Sequence, residues 1–92
     1  MIKSFSNKPT QRVFEGKCPK QFRAIQSIAE RKLQQLDSAE TIGFLRSPPG
    51  NRLEALRGDR KGQYSIRIND QYRVCFVWED GHAYNVEIVD YH

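Results

Sequence analysis

The chain has 92 residues, of which 38% are hydrophobic and 28% are charged, and its formal net charge is +4 at pH 7. This length predicts one domain over residues 1–92 with a small core, and the lack of any run of about 18 apolar residues excludes a membrane-spanning helix. The basic balance favours a polyanionic partner, while two cysteines outside any CxxC motif and an N-terminus without an apolar signal segment predict reduced thiols in a cytoplasmic protein.

The first half of the chain is predicted to be mainly helical. Residues 1–5 alternate in polarity and predict a short strand, after which Asn7 is placed to cap a short helix that Gly16 can end. A longer amphipathic helix follows Pro19, because apolar residues recur there at helical spacing. These residues are Ile25, Ile28, Ala29, Leu33 and Leu36.

The second half is predicted to be β-structure. Residues 37–38 end the long helix and can cap a brief one over residues 39–44, and the two prolines of residues 47–50 then break the helical region. Segments rich in β-branched and aromatic residues follow, and short connections between them predict consecutive antiparallel hairpins. The expected strands cover residues 51–56, 63–68, 72–78 and 84–89.

The apolar pattern also predicts the register of both hairpins. A three-residue first loop over residues 69–71 pairs Ile66 with Val74. A two-residue loop would instead set Ile66 against Arg73 and mix apolar and charged side chains on one face, which core burial disfavours. The same reasoning favours a three-residue second loop over residues 80–82. The face that packs on the helices is then expected to carry Tyr64, Ile66, Ile68, Val74, Phe76, Trp78, Val86 and Ile88, with Phe76 opposite Val86.

The other face of the sheet concentrates polar residues. It is expected to carry Ser65, Arg67, Arg73, Cys75 and Glu87. In this register Arg67 lies directly opposite Arg73, and like charges in that position destabilise a sheet. The pair is explained by a bound anion or, alternatively, by neutralisation through Glu87 or by a bulge that separates the two arginines.

The chain ends in Asp90, Tyr91 and His92, which follow directly on the last predicted strand. With arginines on the same sheet, this tail favours a phosphodiester partner, and more narrowly RNA. The imidazole of His92, with an ordinary pKa of about 6.5, suits acid or base catalysis, and Tyr91 suits stacking on an unpaired base. The alternatives are a solvated tail for His92 and sheet-edge packing for Tyr91. The candidate cations are Arg57, Arg60, Lys61, Arg67 and Arg73, and the candidate proton-transfer groups are His92, Asp90, Tyr91 and Glu54.

Four sequence elements together resemble a known toxin family. Residues 51–60 read NRLEALRGDR and residues 62–69 read GQYSIRIN. With QYRVCF at residues 71–76 and VDYH at residues 89–92, they resemble the HigB, or plasmid-maintenance killer, branch of the RelE-like toxins of type II toxin–antitoxin systems. The resemblance covers essentially the whole chain, and the combination of elements is highly specific.

The resemblance implies an α+β fold, in which N-terminal helices pack on one face of an antiparallel-rich β-sheet. It implies a ribosome-dependent mRNA endoribonuclease, an mRNA interferase that cleaves by 2′-OH attack without a metal or another cofactor. It also implies a cognate HigA-like antitoxin with a helix-turn-helix domain, through which alone the complex contacts operator DNA. The other implied partners are the ribosome and mRNA, with no role for a membrane.

The resemblance also assigns site residues by position. Arg57, Arg73 and the C-terminal Asp90-Tyr91-His92 match the family's functional positions, and we expect Arg60, Lys61 and Arg67 to bind the RNA backbone. Glu54 departs from the pattern, because some members carry histidine there. Either Glu54 acts as base or orienting group, or the reaction depends more on charge stabilisation. Two other classes remain: a non-catalytic RNA- or ribosome-binding translation blocker, and a regulatory subunit of a DNA-binding complex.

Overall fold

The computed structural model describes residues 1–91 and consists of two α-helices packed on one face of a four-stranded antiparallel sheet. The helices are α1, Lys8–Phe14, and α2, Gln26–Ser38. The strands are β1, Glu54–Ala55, β2, Gln63–Arg67, β3, Tyr72–Glu79, and β4, His82–Asp90, and they lie in the order β1-β2-β3-β4. The connections contain the 3-10 helices Lys20–Ile25, Ile42–Arg46, Pro49–Asn51 and Gly58–Arg60. The expected α+β fold is confirmed.

Both α-helices form within the predicted regions, although the residues expected to begin the long helix form the 3-10 helix Lys20–Ile25 instead. Asn7 caps α1, because its side-chain oxygen accepts a hydrogen bond from the Thr10 amide at 2.9 Å. Gly16 follows this helix with φ +87°, a backbone conformation that residues with a side chain rarely adopt. The apolar stripe of α2 faces the core, where its fully buried members are Ala29, Leu33 and Leu36.

The N-terminal segment does not form the expected strand. It makes two isolated parallel bridges to β4 instead, Ile2 with Ala83 and Phe5 with Val86. Between those two bridges Asn85 has φ +53°, so β4 cannot offer a continuous ladder to a neighbouring strand. The hydroxyl of Ser4 accepts a hydrogen bond from the Asn85 amide at 2.8 Å and closes the gap.

The brief helix expected over residues 39–44 is also wrong. Ala39 leaves α2 in an extended conformation and is buried, so the chain cannot turn directly into another helix. A 3-10 helix begins later and spans Ile42–Arg46. Its cap is Thr41, whose hydroxyl accepts a hydrogen bond from the Phe44 amide at 3.3 Å.

The strand expected over residues 51–56 shrinks to Glu54–Ala55. The 3-10 helix Pro49–Asn51 precedes it, and Arg52 then adopts a left-handed conformation with φ +45°. That conformation is incompatible with an extended strand, so pairing with β2 starts only at Glu54.

Asn51 fixes this part of the chain to α2. Its side chain is fully buried, and its amide nitrogen donates hydrogen bonds to the carbonyls of Leu45 at 3.1 Å and Ser47 at 3.3 Å. The Lys32 Nζ donates to its side-chain oxygen. One residue thus joins the chain that precedes the two prolines to α2.

Replacing Asn51 with alanine is therefore expected to destabilise the protein. The change leaves several buried polar groups without partners, which should lower the free energy of unfolding by about 2–3 kcal/mol. Urea denaturation monitored by circular dichroism measures this difference. The exposed Gln34 provides a matched control on α2, because its replacement by alanine should change stability by no more than about 0.5 kcal/mol.

The register of the first hairpin is as predicted. Ile66 pairs with Val74 and Arg67 with Arg73, and the Ile68 amide closes the loop on the Tyr72 carbonyl at 2.9 Å. Asn69 stabilises this loop, because its side-chain oxygen accepts hydrogen bonds from two backbone amides on the far side.

The second loop has two residues instead of the three expected. Glu79 pairs with His82, and the central residues Asp80 and Gly81 both have positive φ, at +53° and +80°. Such a turn matches the twist of the strands that it joins. A bulge opposite Phe76 then adds one residue to β4, so Val74 still pairs with Ile88 as predicted.

The two faces of the sheet separate as predicted. The helix-facing side is buried at Ile66, Ile68, Val74, Phe76, Val86 and Ile88, with Tyr64 and Trp78 packed against it. The opposite side, called the open face below, carries two cross-strand rows. One row is Glu54, Ser65, Cys75 and Glu87, and the next is Arg67, Arg73 and Val89. No helix within residues 1–91 has both the length and the apolar composition that crossing a membrane requires.

Candidate active site

Arg73 is the central side chain of the open face. It is only 8% exposed, although the face that carries it points away from the helices. Its Nε donates to the Ser65 hydroxyl at 2.7 Å, and its Nη2 donates to the Arg52 carbonyl at 2.6 Å. The carboxylate of Glu54 lies 3.9 Å from the same nitrogen. These contacts fix the guanidinium in one orientation before any ligand arrives.

Tyr91 lies next to this guanidinium. The centre of its ring is 5.8 Å from Arg73 Cζ, within the range of a cation–π contact, and the residue remains 43% exposed. The segment after β4 is held by Gln71, whose carbonyl accepts from the Tyr91 amide and whose side-chain amide donates to Asp90 at 3.0 Å. The structure thus brings Glu54, Arg73 and Tyr91 together and places Asp90 at the same end of the sheet.

The other predicted cations lie in different surroundings. Arg60 donates to Glu87 at 3.3 Å and to Gln63 at 3.2 Å, because the 3-10 helix Gly58–Arg60 carries it back over the open face. Arg67 pairs with Asp70 in the first hairpin loop. Both arginines therefore have acidic partners that RNA would have to replace.

The arginine pair of the sheet is explained by local partners. Arg67 and Arg73 are direct cross-strand neighbours, as predicted, and no bulge separates them. Glu87 does not neutralise this pair, since within residues 1–91 it forms its ion pair with Arg60. Arg67 turns to Asp70, and Arg73 turns to Ser65 and Glu54, so each charge has its own compensation.

The structure does not join every predicted residue to this cluster. Arg57 and Lys61 are exposed, and within residues 1–91 neither makes a recorded ion pair or hydrogen bond to Arg73 through its side chain. His92, the first candidate for acid or base catalysis, lies outside the described residues. The roles of all these residues stay predictions.

Cys75 lies in the same row as Ser65 and Glu87 but is not a nucleophile. It is fully buried, and burial is the main cause that raises the pKa of its thiol; the nearby guanidinium of Arg60 offsets this only in part. A raised pKa keeps the sulfur protonated and unreactive at neutral pH.

Sequence reasoning missed the groups that orient the candidate site residues. Ser65 was placed on the correct face, and its position beside Arg73 follows from the register, so its hydroxyl could have been recognised as a partner. The contribution of the Arg52 carbonyl could not, because it depends on a left-handed conformation that no sequence pattern indicates. Gln71 likewise contacts Asp90 and Tyr91 only because its loop folds against the end of β4.

Ser65 is expected to be a positioning residue for Arg73. Replacing it with alanine leaves the buried Arg73 Nε without its acceptor, so the guanidinium should lose its fixed orientation and any reaction that uses it should slow by about tenfold. Replacement by threonine keeps the hydroxyl and should restore most of the rate. A kinetic comparison of the two variants should show a change in kcat with little change in KM, whereas equal losses in both variants would mean a purely structural role.

Comparisons with known proteins agree on one family. A family model described as RelE-like toxin of type II toxin-antitoxin system HigB matches residues 3–92. "Toxin HigB-1" of Vibrio cholerae is 45% identical over 89 residues, which cover 92% of this chain and 92% of that protein. "Endoribonuclease HigB" of Proteus vulgaris is 36% identical over 94 residues and matches both chains over their full length.

Solved structures support the fold independently. A "YoeB-YefM complex from Staphylococcus aureus" contains a chain that superposes with a TM-score of 0.60, covering 100% of this chain and 98% of that one. The sequence identity is only 17%, so this similarity concerns the fold alone. A second structure, of a heterotetrameric YoeB-YefM toxin-antitoxin complex from the same organism, superposes with a TM-score of 0.58.

Proposed function

Because the chain belongs to the HigB-like, RelE-like toxins of type II toxin–antitoxin systems, we propose that its open face cleaves mRNA bound to the ribosome. A ribose 2′-OH would lose its proton and attack the adjacent phosphate, forming a 2′,3′-cyclic phosphate while the bond to the 5′-oxygen breaks and that oxygen takes up a proton. Cleavage of the mRNA in this way would inhibit translation. The relative named an endoribonuclease, alignable over its whole length, supports this activity.

The observation that carries the proposal is the fixed orientation of Arg73. The Ser65 hydroxyl and the Arg52 carbonyl occupy its Nε and Nη2, which leaves Nη1 without a hydrogen bond within residues 1–91. A guanidinium held in this way can stabilise the negative charge that develops on a phosphate without first paying to reorganise. The exposed ring of Tyr91 beside it suits an unpaired base.

The remaining residues complete the proposed mechanism. His92 would transfer a proton as acid or base, with Asp90 and Tyr91 orienting either His92 or the mRNA. Arg57 would share the charge of the scissile phosphate, and Arg60, Lys61 and Arg67 would hold neighbouring phosphates. To bind phosphate, Arg60 would have to release Glu87 and Arg67 would have to release Asp70. RNA affinity should therefore fall strongly as the salt concentration rises.

Glu54 keeps two alternative roles. Its side chain is 56% exposed and its carboxylate lies 3.9 Å from Arg73, a position from which it could accept the 2′-proton or orient the guanidinium. The 3.9 Å separation and the high exposure make it a weak ion pair, so Glu54 is able to exchange Arg73 for another partner. Both roles use the same side chain, and the pH dependence of a Glu54→Gln variant separates them.

The partners follow from the type of system. Membership of the family supports an antitoxin as partner, and we propose that it is HigA-like, with a helix-turn-helix domain through which the pair contacts operator DNA. The ribosome and its mRNA would be the targets, in the cytoplasm.

Mapping of mRNA ends tests the proposed function. Primer extension on mRNA in the presence of the purified protein should reveal new 5′ ends only when translating ribosomes are present. Stalled translation without new ends would identify a non-catalytic translation blocker instead. Cleavage of naked mRNA at the same sites would show that the ribosome is not required.

A further inference from the structure

A groove separate from the Arg73 cluster lies beside α2. It has a volume of about 660 Å³ and runs between α2, the 3-10 helix Ile42–Arg46, the turn at residues 48–50 and the end of β2. Its apolar lining residues are Ile28, Phe44, Pro48 and Ile68. Phe44 is 51% exposed, which is unusual for a phenylalanine that serves only the core.

The charge around this groove has one sign. Arg31, Lys32 and Arg67 line it, and no aspartate or glutamate does. Within residues 1–91 no carboxylate forms an ion pair with Arg31 or Lys32. Burial, and secondly the positive charge of Arg31, lower the pKa of Lys32, and of the three groove cations Arg67 alone has a carboxylate partner within residues 1–91, the exposed Asp70.

We propose that this groove binds an acidic amphipathic segment of the antitoxin. The inference deepens the proposed function, since it rests on the antitoxin being this protein's partner. Charge complementarity selects the acidic side chains, which would face Arg31 and Lys32. The apolar residues of the groove favour a peptide over an RNA backbone, because aliphatic side chains on one face of a helix can pack against them and phosphates cannot.

The position of the groove gives this binding a consequence for the open face. Arg67 is the last residue of β2, and β1 pairs only with two earlier residues of that strand. Arg67 also lines the groove, so its side chain lies where the groove meets the open face. An acidic segment that reaches Arg67 competes with Asp70 and with RNA for the same guanidinium. Arg73 does not line the groove, so the segment would lower RNA affinity without filling the Arg73 cluster.

Two exposed residues allow a test that leaves the fold intact. Arg31→Glu reverses a charge of the groove and Phe44→Ala removes its most exposed apolar side chain, and neither side chain makes a hydrogen bond recorded within residues 1–91. Lys32 is left unchanged because it donates to Asn51. Lys8→Glu is the matched control: it makes the same charge change at an exposed position on α1 that does not line the groove.

The measurement is the Kd of each variant for the full-length antitoxin of the same operon, by calorimetry at two salt concentrations. Arg31→Glu and Phe44→Ala should each weaken binding by about tenfold or more, while Lys8→Glu stays close to the parent protein. The loss for Arg31→Glu should shrink at high salt, whereas that for Phe44→Ala should not.

Parallel cleavage assays separate this inference from the proposed function. Both groove variants should cleave mRNA on ribosomes like the parent protein. Unchanged antitoxin affinity in both variants would overturn the proposal, and so would lost cleavage with intact antitoxin binding, since the groove would then serve RNA. If the parent protein itself fails to cleave, the proposed function is wrong, but the binding measurements still decide where the antitoxin docks.

Discussion

Replacing Arg73 with alanine is expected to slow mRNA cleavage on translating ribosomes by about 10²–10³-fold, the usual loss when one preorganised charge-stabilising group is removed. The reason is the orientation imposed by Ser65 and Arg52, which places a desolvated cation where phosphate charge would develop. Single-turnover cleavage of an end-labelled message measures the effect directly. Full activity in this variant would assign Arg73 to the structure of the sheet alone.

Two further variants distinguish charge from geometry at this position. Arg73→Lys keeps the positive charge but lacks the planar fork, so its rate should lie between those of the parent protein and the alanine variant. Arg67→Ala removes the neighbouring arginine, which already pairs with Asp70, and should cost only about tenfold through weaker RNA binding. Because Arg73 is buried, thermal unfolding and antitoxin binding of each variant must be measured alongside, so that a folding defect is not read as a catalytic one.

The elements predicted correctly from the sequence are those in which many apolar residues must be buried on the same side. The stripe that ends at Leu33 and Leu36 placed α2, and the alternation around Ile66 and Val74 fixed the first hairpin and therefore the juxtaposition of Arg67 and Arg73. One side of each element must enter the core, so a shift by one residue would expose the whole set. Such constraints are visible in a single chain.

The second hairpin shows where this reasoning fails. Asp80-Gly81 is a strong signal for a two-residue turn, yet the alternation of apolar residues along the two strands favoured a loop of three residues. Two local irregularities compensate: the shorter turn shifts the register by one residue, and the bulge at Asn85 shifts it back before Ile88. The predicted alternation is therefore correct at Val86 and Ile88, whereas at the turn end Ala83 rather than Tyr84 lies opposite Trp78 and the loop prediction is wrong. A pattern that records only which face is buried cannot detect two shifts that cancel.

The candidate site divides in the same way. The residues that face away from the helices were predictable, because Arg73 follows from the parity that buries Val74 and Phe76. The burial of Arg73 itself was not, since it depends on Ser65, on the left-handed Arg52 and on Tyr91, which the last strand returns to the same end of the sheet. Sequence patterns indicate which chemical groups share a face, whereas hydrogen bonds from the backbone decide how those groups point.

Replacing His92 with glutamine is expected to abolish most of the cleavage while leaving the protein folded. Glutamine keeps hydrogen-bonding capacity but cannot transfer a proton near neutral pH, and general acid–base groups contribute about 10²–10⁴-fold to such reactions. The loss should appear in kcat rather than in KM. The pH profile of the residual rate in the variant should differ from that of the parent protein, because a proton-transfer group has been removed.

The second histidine is a matched control for this experiment. His82 begins β4, and Asp90 ends it, so about 26 Å of extended strand separates the two ends at roughly 3.3 Å per residue. His82→Gln should therefore retain normal cleavage and the same pH profile as the parent protein. Normal cleavage by His92→Gln would remove His92 from the mechanism and leave Glu54 as the candidate base. If Arg73→Ala were nevertheless inactive, the reaction would depend mainly on charge stabilisation, and the pH profile of Glu54→Gln would then identify the group that takes the proton.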